Sequence, residues 1–142
     1  MDELSVLLGG YISEKMKFAT VTTGAANDLE RATAIARNLV TRYGMSELGP
    51  RTFGRKEELI FLGREIHEEK NYSEKTAEEI GRQVSKFIAN AYAVTEKILS
   101  EKRTILEKIV TVLLKKEIIE KDEFDKLVGL EKPEENKIIK KV

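Results

Sequence analysis

Apolar residues recur every three or four positions along most of the chain, which is the spacing of one helix face rather than of a strand. Only two prolines, Pro50 and Pro133, interrupt these stretches. The pattern therefore predicts an all-α fold, a helical bundle of about four to five helices with one long loop over about residues 44–72.

The first two predicted helices lie on either side of a short turn. They cover residues 2–18 and 26–43, and the β-branched and glycine residues at 20–24 predict an extended loop between them. Gly44 follows the second helix, where glycine commonly ends helices. The apolar stripes consist of Leu4, Leu7, Leu8 and Ile12 in the first helix, and of Leu29, Ala32, Ala36, Leu39, Val40 and Tyr43 in the second.

Three further helices are predicted in the second half of the chain. The third and longest covers residues 73–100, where Ser73 is a candidate N-cap and Thr76 with Glu79 is an alternative capping box. A fourth helix follows, and a short fifth covers about residues 122–130. Their apolar faces consist of Ala77, Ile80, Val84, Phe87, Ile88, Ala91, Val94, Thr95 and Ile98, then Ile105, Leu106, Ile109, Val112 and Leu113, and finally Phe124, Leu127 and Val128.

The last twelve residues, EKPEENKIIKKV, are mostly charged and carry no sustained apolar stripe. We therefore expect a helical domain over 1–130 and a disordered charged tail over 131–142. The sequence contains no run of about 18 apolar residues, so we expect no direct membrane insertion by this chain. The start of the sequence also lacks the pattern of a signal peptide.

Charge and composition narrow the possible chemistry. The 142 residues include 25 Lys+Arg and 25 Asp+Glu, so the formal net charge is zero, and we expect no nucleic-acid partner. Because cysteine is absent, the chain has no disulfide, cysteine zinc site or thiol nucleophile. A single histidine, His67, excludes from these residues any site that needs two, including the HExxH helix of zinc proteases.

Two short strings resemble functional motifs but lack necessary residues. His67 begins HEEKN, in which Asn71 stands where the second imidazole of HExxH belongs, so we interpret His67 as a solvated loop residue. The string GPRTFGRK at 49–56 has the glycine spacing of a phosphate loop. Its lysine, Lys56, comes one place late and no Ser or Thr follows it, so nucleotide binding is not supported.

Asp28 is the residue whose position admits two interpretations. It lies in the first turn of the second helix, at the head of the apolar stripe. In one interpretation the helix dipole favours an acidic residue there, and Asn27 or Asp28 satisfies free N–H groups. In the other, Asp28 is a functional carboxylate held at the edge of the core and preceded by the TTGA turn. Spacing alone favours the first interpretation.

Gly9 and Gly10 are adjacent inside the first predicted helix. Two glycines destabilise a helix by about 2 kcal/mol relative to alanines. They indicate either a helix break or a face that another backbone approaches closely.

Several strings together resemble the C-terminal helical part of the peptidase domain of the FtsH family, the membrane-bound ATP-dependent zinc metalloproteases. They are LLGG at 7–10, TTGAANDLERATAIARNLVTRYGMSELGP at 22–50, FLGREI at 61–66 and NYSEKTAEEI at 71–80. They follow the family's order at nearly its spacing. KEIIEKDEFDKLV at 116–128 is also similar to the family's final helix.

The resemblance implies roles for the matching residues. In the family, an HExxH helix upstream of LLGG supplies two histidine ligands, and the aspartate of TTGA-x-ND is the third zinc ligand, which corresponds to Asp28. Gly9 and Gly10 would let the first helix approach that HExxH helix. The turn that presents the aspartate would be shaped by Thr22, Thr23, Gly24 and Asn27.

The sequence also departs from the family. HExxH, an AAA+ ATPase module and a transmembrane segment are absent from it, Tyr11-Ile12-Ser13 replaces the usual Arg-Ala-Ala, and Gly81 stands where an acidic residue is common. The resemblance thus implies that this chain is the C-terminal portion of an ATP-dependent zinc metalloendopeptidase that degrades membrane and cytosolic proteins. It also implies that the chain alone is inactive. The alternative is a freestanding, catalytically silent helical interaction module derived from the same scaffold.

Cofactors and partners follow from the same resemblance. Zinc would bind only in the complete protease, and ATP with magnesium would bind a module outside this sequence. The implied partners are the upstream peptidase and AAA+ segments, further copies in a homo-hexamer, and protein substrates. The parent protein would act at the cytoplasmic side of the inner membrane.

Overall fold

The computed structural model of the chain describes residues 2–54 and 72–130. These residues form five α-helices and no strand: α1 (Asp2–Phe18), α2 (Ala26–Thr41), α3 (Glu74–Glu101), α4 (Arg103–Lys116) and α5 (Lys121–Val128). The predicted all-α class is confirmed. His67, the middle of the predicted 44–72 loop and the predicted tail at 131–142 lie outside the described residues.

The chain divides into two units, Met1–Ile98 and Leu99–Val142. In the first unit, α1 and α2 pack against each other. Their buried apolar residues recur at the predicted helical spacing and are Leu4, Leu7, Leu8 and Ile12 in α1, with Ala32, Ala36 and Val40 in α2. Burial of these side chains from water supplies the main driving force for the pairing.

The second helix ends two residues earlier than predicted. Tyr43, expected on the apolar stripe, lies beyond the end of α2 and is 66% exposed. The cause is Gly44, whose φ of +61° turns the chain away, and whose added Cβ would lie only 3.0 Å from the backbone nitrogen of Arg51. Only glycine combines this φ with such a close backbone approach.

Residues after Gly44 fold back onto the end of α2. The Phe53 backbone N–H donates to the Thr41 carbonyl at 2.8 Å. Phe53 is buried with Val40 and with Ile80 of α3, and the Tyr72 ring meets the Phe53 ring edge-on at 6.1 Å between centroids. Phe53 and Tyr72, which lie before and after the segment 55–71, therefore pack on one cluster.

Ser73 caps the start of α3, as predicted, because its hydroxyl accepts a hydrogen bond from the Thr76 backbone N–H at 3.3 Å. Further along, buried Thr95 donates to the Ser5 carbonyl of α1 at 3.0 Å. Ile98, predicted on the apolar face, is 52% exposed. It lies three residues after Thr95 on α3.

The second unit contains α4 and α5, which pack against each other. Lys116 of α4 donates to the Glu123 carboxylate at 2.6 Å. The predicted apolar face of α4 is half-buried at Ile105 and Ile109, but Leu113 is exposed. None of the helices in the described parts of the chain has the length and hydropathy needed to cross a membrane.

Candidate metal-ligand site

The turn between α1 and α2 is built by hydrogen bonds of its own residues. Thr22 is extended, with φ −101° and ψ 173°, and caps a short 3₁₀ helix over Thr23–Ala25. Its hydroxyl accepts from the Gly24 backbone N–H at 3.2 Å. Ala25 is buried at the end of this turn, and α2 begins at the next residue.

Glu14 of α1 links that helix to the turn through hydrogen bonds with Thr22. Its Oε2 accepts from the Thr22 backbone N–H at 2.8 Å, and both carboxylate oxygens lie 3.1 Å from the Thr22 hydroxyl. Since that hydroxyl accepts from Gly24, its proton is free to be donated to Glu14. The spacing of residues along the chain does not predict this contact, because only the packing of α1 beside the turn brings Glu14 and Thr22 together.

Gly24 leaves room for this arrangement. A Cβ added at this position would lie 3.3 Å from the Thr22 Oγ1 atom and 3.8 Å from Glu14 Oε1. The first distance is tighter than ordinary van der Waals contact, so a side chain would push against the Thr22 hydroxyl. Glycine is therefore suited to this turn by its size.

Asp28 is the third residue of α2 and is half-buried. The preceding N-cap residue is Ala25, whose side chain makes no cap hydrogen bond. Among residues 2–54 and 72–130, neither the Asp28 side chain nor that of the exposed Asn27 has a hydrogen bond or ion pair, so neither side chain satisfies a free N–H group there. The helix dipole still favours an acid at Asp28, but its carboxylate oxygens remain available to a ligand.

A carboxylate oxygen of this kind fits one position of a zinc centre, since zinc accepts Asp oxygens beside His nitrogens. The part of the chain that the structure describes contains no group of three or more His, Cys, Asp or Glu residues that could hold a metal ion. A zinc centre that used Asp28 would therefore need its other ligands from outside these residues.

Gly9 and Gly10 do not break the first helix, because α1 continues from Asp2 to Phe18. A Cβ added to either glycine would meet no described atom within 4 Å. The described residues thus impose no steric need for glycine here. The close approach of another helix to this face stays a prediction.

Comparison with known proteins supplies the family. The model of peptidase family M41 matches residues 1–127, which include α1, the turn, Asp28 and all of α2 to α4. The chain belongs to peptidase family M41.

The chain is also similar to named proteins. The chain is 48% identical over 132 residues to ATP-dependent zinc metalloprotease FtsH 1 of Thermomicrobium roseum, covering 92% of this chain and 20% of that protein. For ATP-dependent zinc metalloprotease FtsH of Thermotoga maritima the identity is 47% over 132 residues, covering 92% and 22%. The resemblance to FtsH is confirmed, and the chain spans about a fifth of the length of these relatives.

Proposed function

We propose that this chain is the part of an ATP-dependent zinc metalloendopeptidase that supplies Asp28 as one ligand of the zinc centre. The observation that carries the proposal is the half-buried Asp28 carboxylate, fixed in the first turn of α2 without a described hydrogen-bonding partner. Further support comes from its position inside the region matched by peptidase family M41. The histidine ligands would come from an HExxH helix elsewhere in the same polypeptide.

The chemistry explains why the residue is an aspartate. Zinc, when bound, supplies the Lewis acid that activates water for attack on a peptide carbonyl. The Asp28 carboxylate offers an anionic oxygen that compensates part of the charge of a dication, which a neutral amide does not. Because Asp28 belongs to the first turn of a helix, its backbone is held while the ligand is presented.

The remaining parts of the machine would lie outside this sequence. The relatives are named ATP-dependent, and we assign ATP and magnesium binding to a separate AAA+ segment. The helices described above would pack against the upstream peptidase segment and between subunits of a homo-hexamer. We place the assembled protease at the cytoplasmic side of the inner membrane, where it degrades membrane and cytosolic proteins.

The test is Asp28→Asn in a complete protease that contains this chain. We expect casein cleavage to fall by more than about 100-fold, beyond the loss typical of residues that only support a ligand, while ATP hydrolysis continues. Glu30→Gln removes the same charge from an exposed position two residues later and serves as the control. Full proteolysis by Asp28→Asn would remove Asp28 from the centre, whereas an absence of proteolysis from the unmodified protein would favour the catalytically silent interaction module.

A further inference from the structure

A cavity of about 420 Å³ lies between the loop that follows α2 and one face of α3. We call it the α2–α3 cavity, and its volume falls in the range of about 300–1,000 Å³ that is usual for ligand sites. It is separate from the candidate metal-ligand site, because Asp28 lies at the start of α2 and the cavity lies beyond its end. A rise of 1.5 Å per residue puts about 20 Å between Asp28 and Thr41, the last residue of α2.

Gln83 of α3 is a buried polar residue that lines this cavity. Its side chain is 5% exposed, and its Nε2 donates to the Glu47 carboxylate at 3.2 Å. Its Oε1 accepts no hydrogen bond from the described residues. Since no fully buried side-chain oxygen or nitrogen in the described parts of the chain lacks a partner, this oxygen is accessible from the cavity. A buried acceptor of this kind favours a ligand that carries a donor.

Ser46, in the loop after α2, offers the complementary group at the same cavity. Its hydroxyl accepts from the Leu48 backbone N–H at 3.3 Å, and its own proton is donated to no described residue. The α2–α3 cavity therefore presents one acceptor and one donor. A peptide unit satisfies such a pair with its own N–H and C=O.

The rest of the lining is apolar or electrically compensated. Lys86 donates to the Glu47 carboxylate, so the two charged side chains at the cavity neutralise each other. Met45 is 61% exposed and Phe87 is half-buried, and both offer apolar surface to a ligand. The lining favours a neutral ligand with a large apolar group.

We propose that the α2–α3 cavity binds protein substrates, taking one large apolar residue of an extended chain by its backbone N–H, its C=O and its side chain. This inference rests on the function proposed above. An extended chain covers about 3.3–3.6 Å per residue, so the bound residue would lie about six residues from the bond cleaved beside Asp28. A contact so far from the reacting atoms binds substrate and transition state equally, which lowers KM and leaves kcat unchanged.

The first arm of the experiment measures peptide binding to the 142-residue chain by amide chemical shifts. The probe is a blocked pentapeptide of four alanines with a central phenylalanine, and the control peptide has glutamate at the centre. We expect saturable shifts at Gln83 and Phe87, with affinity for the phenylalanine peptide at least about tenfold higher because its ring is buried. Equal binding of the two peptides, or shifts confined to other residues, would overturn the proposal.

Three variants locate the binding. Met45→Glu places a charge in the apolar lining at an exposed position and should weaken binding of the phenylalanine peptide by at least about tenfold. Gln83→Met keeps a similar size without the acceptor and should weaken it by about three- to tenfold. Val94→Glu, at an exposed position of α3 outside the lining, is the matched control and should change nothing. Urea unfolding checks that Met45→Glu is folded, and unchanged binding by that variant would rule out the cavity.

The second arm measures cleavage by a complete protease that contains this chain. Two peptides share one cleavage site, and only the first carries phenylalanine about six residues to either side of it. Met45→Glu should raise KM for the first peptide by about tenfold at unchanged kcat and leave both constants for the second peptide unchanged. An equal change for the two peptides, or none for either, would contradict a substrate site at the cavity.

Asp28→Asn in the same assay separates the two proposals. If it abolishes cleavage while Met45→Glu leaves KM unchanged, the ligand role stands and the substrate site fails. If Asp28→Asn retains cleavage while Met45→Glu raises KM for the first peptide, the ligand role fails and the substrate site stands. If the unmodified protein cleaves neither peptide, both proposals fail.

Discussion

Thr22 shows how one small side chain organises the candidate site. A threonine hydroxyl has one donor and two acceptor positions, and in this turn it donates to Glu14 while accepting from Gly24. The TTGA string draws attention to the turn, but not to the carboxylate that holds it. Glu14 lies eight residues before Thr22, on α1, whereas Thr22 lies in the turn after that helix, so the contact depends on packing that no local pattern contains.

Gly10 provides a prediction at this scale, because its surroundings in the described structure are open. Gly10→Ala should stabilise the 142-residue chain by about 0.5–1 kcal/mol, since alanine restricts the unfolded backbone and favours the helix. The measurement is the free energy of unfolding in urea.

Gly10→Ala should lower the proteolytic activity of the complete protease if another helix approaches this face of α1. The added methyl group would then contact the backbone of that helix. Glu3→Ala, on the same helix, is the control for a general effect on α1. A Gly10→Ala protease that is both more stable and fully active would show that no helix packs closely at Gly10.

At the scale of elements, periodicity predicted the helices well where burial is one-sided and less well where the chain turns. The bounds of α1 agree with the prediction, and Ser73 caps α3 as expected. The end of α2 was misplaced because Gly44 takes a left-handed conformation against the backbone of Arg51, a contact between distant parts of a loop. Ile98 is exposed although its spacing places it on the apolar face of α3.

Glu47 joins the loop after α2 to α3 and should make stability depend on pH. A hydrogen bond from Lys86, and to a smaller extent one from Gln83, lowers the pKa of Glu47 below its ordinary value of 4.5. A carboxylate with a lowered pKa in the folded state contributes stability above its unfolded pKa, and this is lost as pH falls through the folded pKa.

Urea unfolding at several pH values checks this expectation. The stability difference between the unmodified chain and Glu47→Gln should be present at pH 7 and should shrink below about pH 4.5, as linkage requires. Glu78→Gln, at an exposed position on α3, should show no such narrowing. A Glu47→Gln difference that stays constant down to pH 3 would contradict the role of the ion pair with Lys86.

At the scale of the whole molecule, family membership changes how the single histidine of this sequence is interpreted. The chain belongs to peptidase family M41, yet it spans about a fifth of its FtsH relatives. The all-α class followed from periodicity alone. The proposed ligand role of Asp28 did not, because spacing alone favours a residue placed by the helix dipole, and the ligand role is implied only by the resemblance.

The zinc content of purified protein tests the ligand role most directly. In a complete protease that contains this chain, we expect about one zinc per subunit, retained by Glu30→Gln after dialysis against a weak chelator and lost by Asp28→Asn. The 142-residue chain alone should retain no stoichiometric zinc, because a single carboxylate does not form a zinc centre. Full zinc retention by the Asp28→Asn protease would contradict the account.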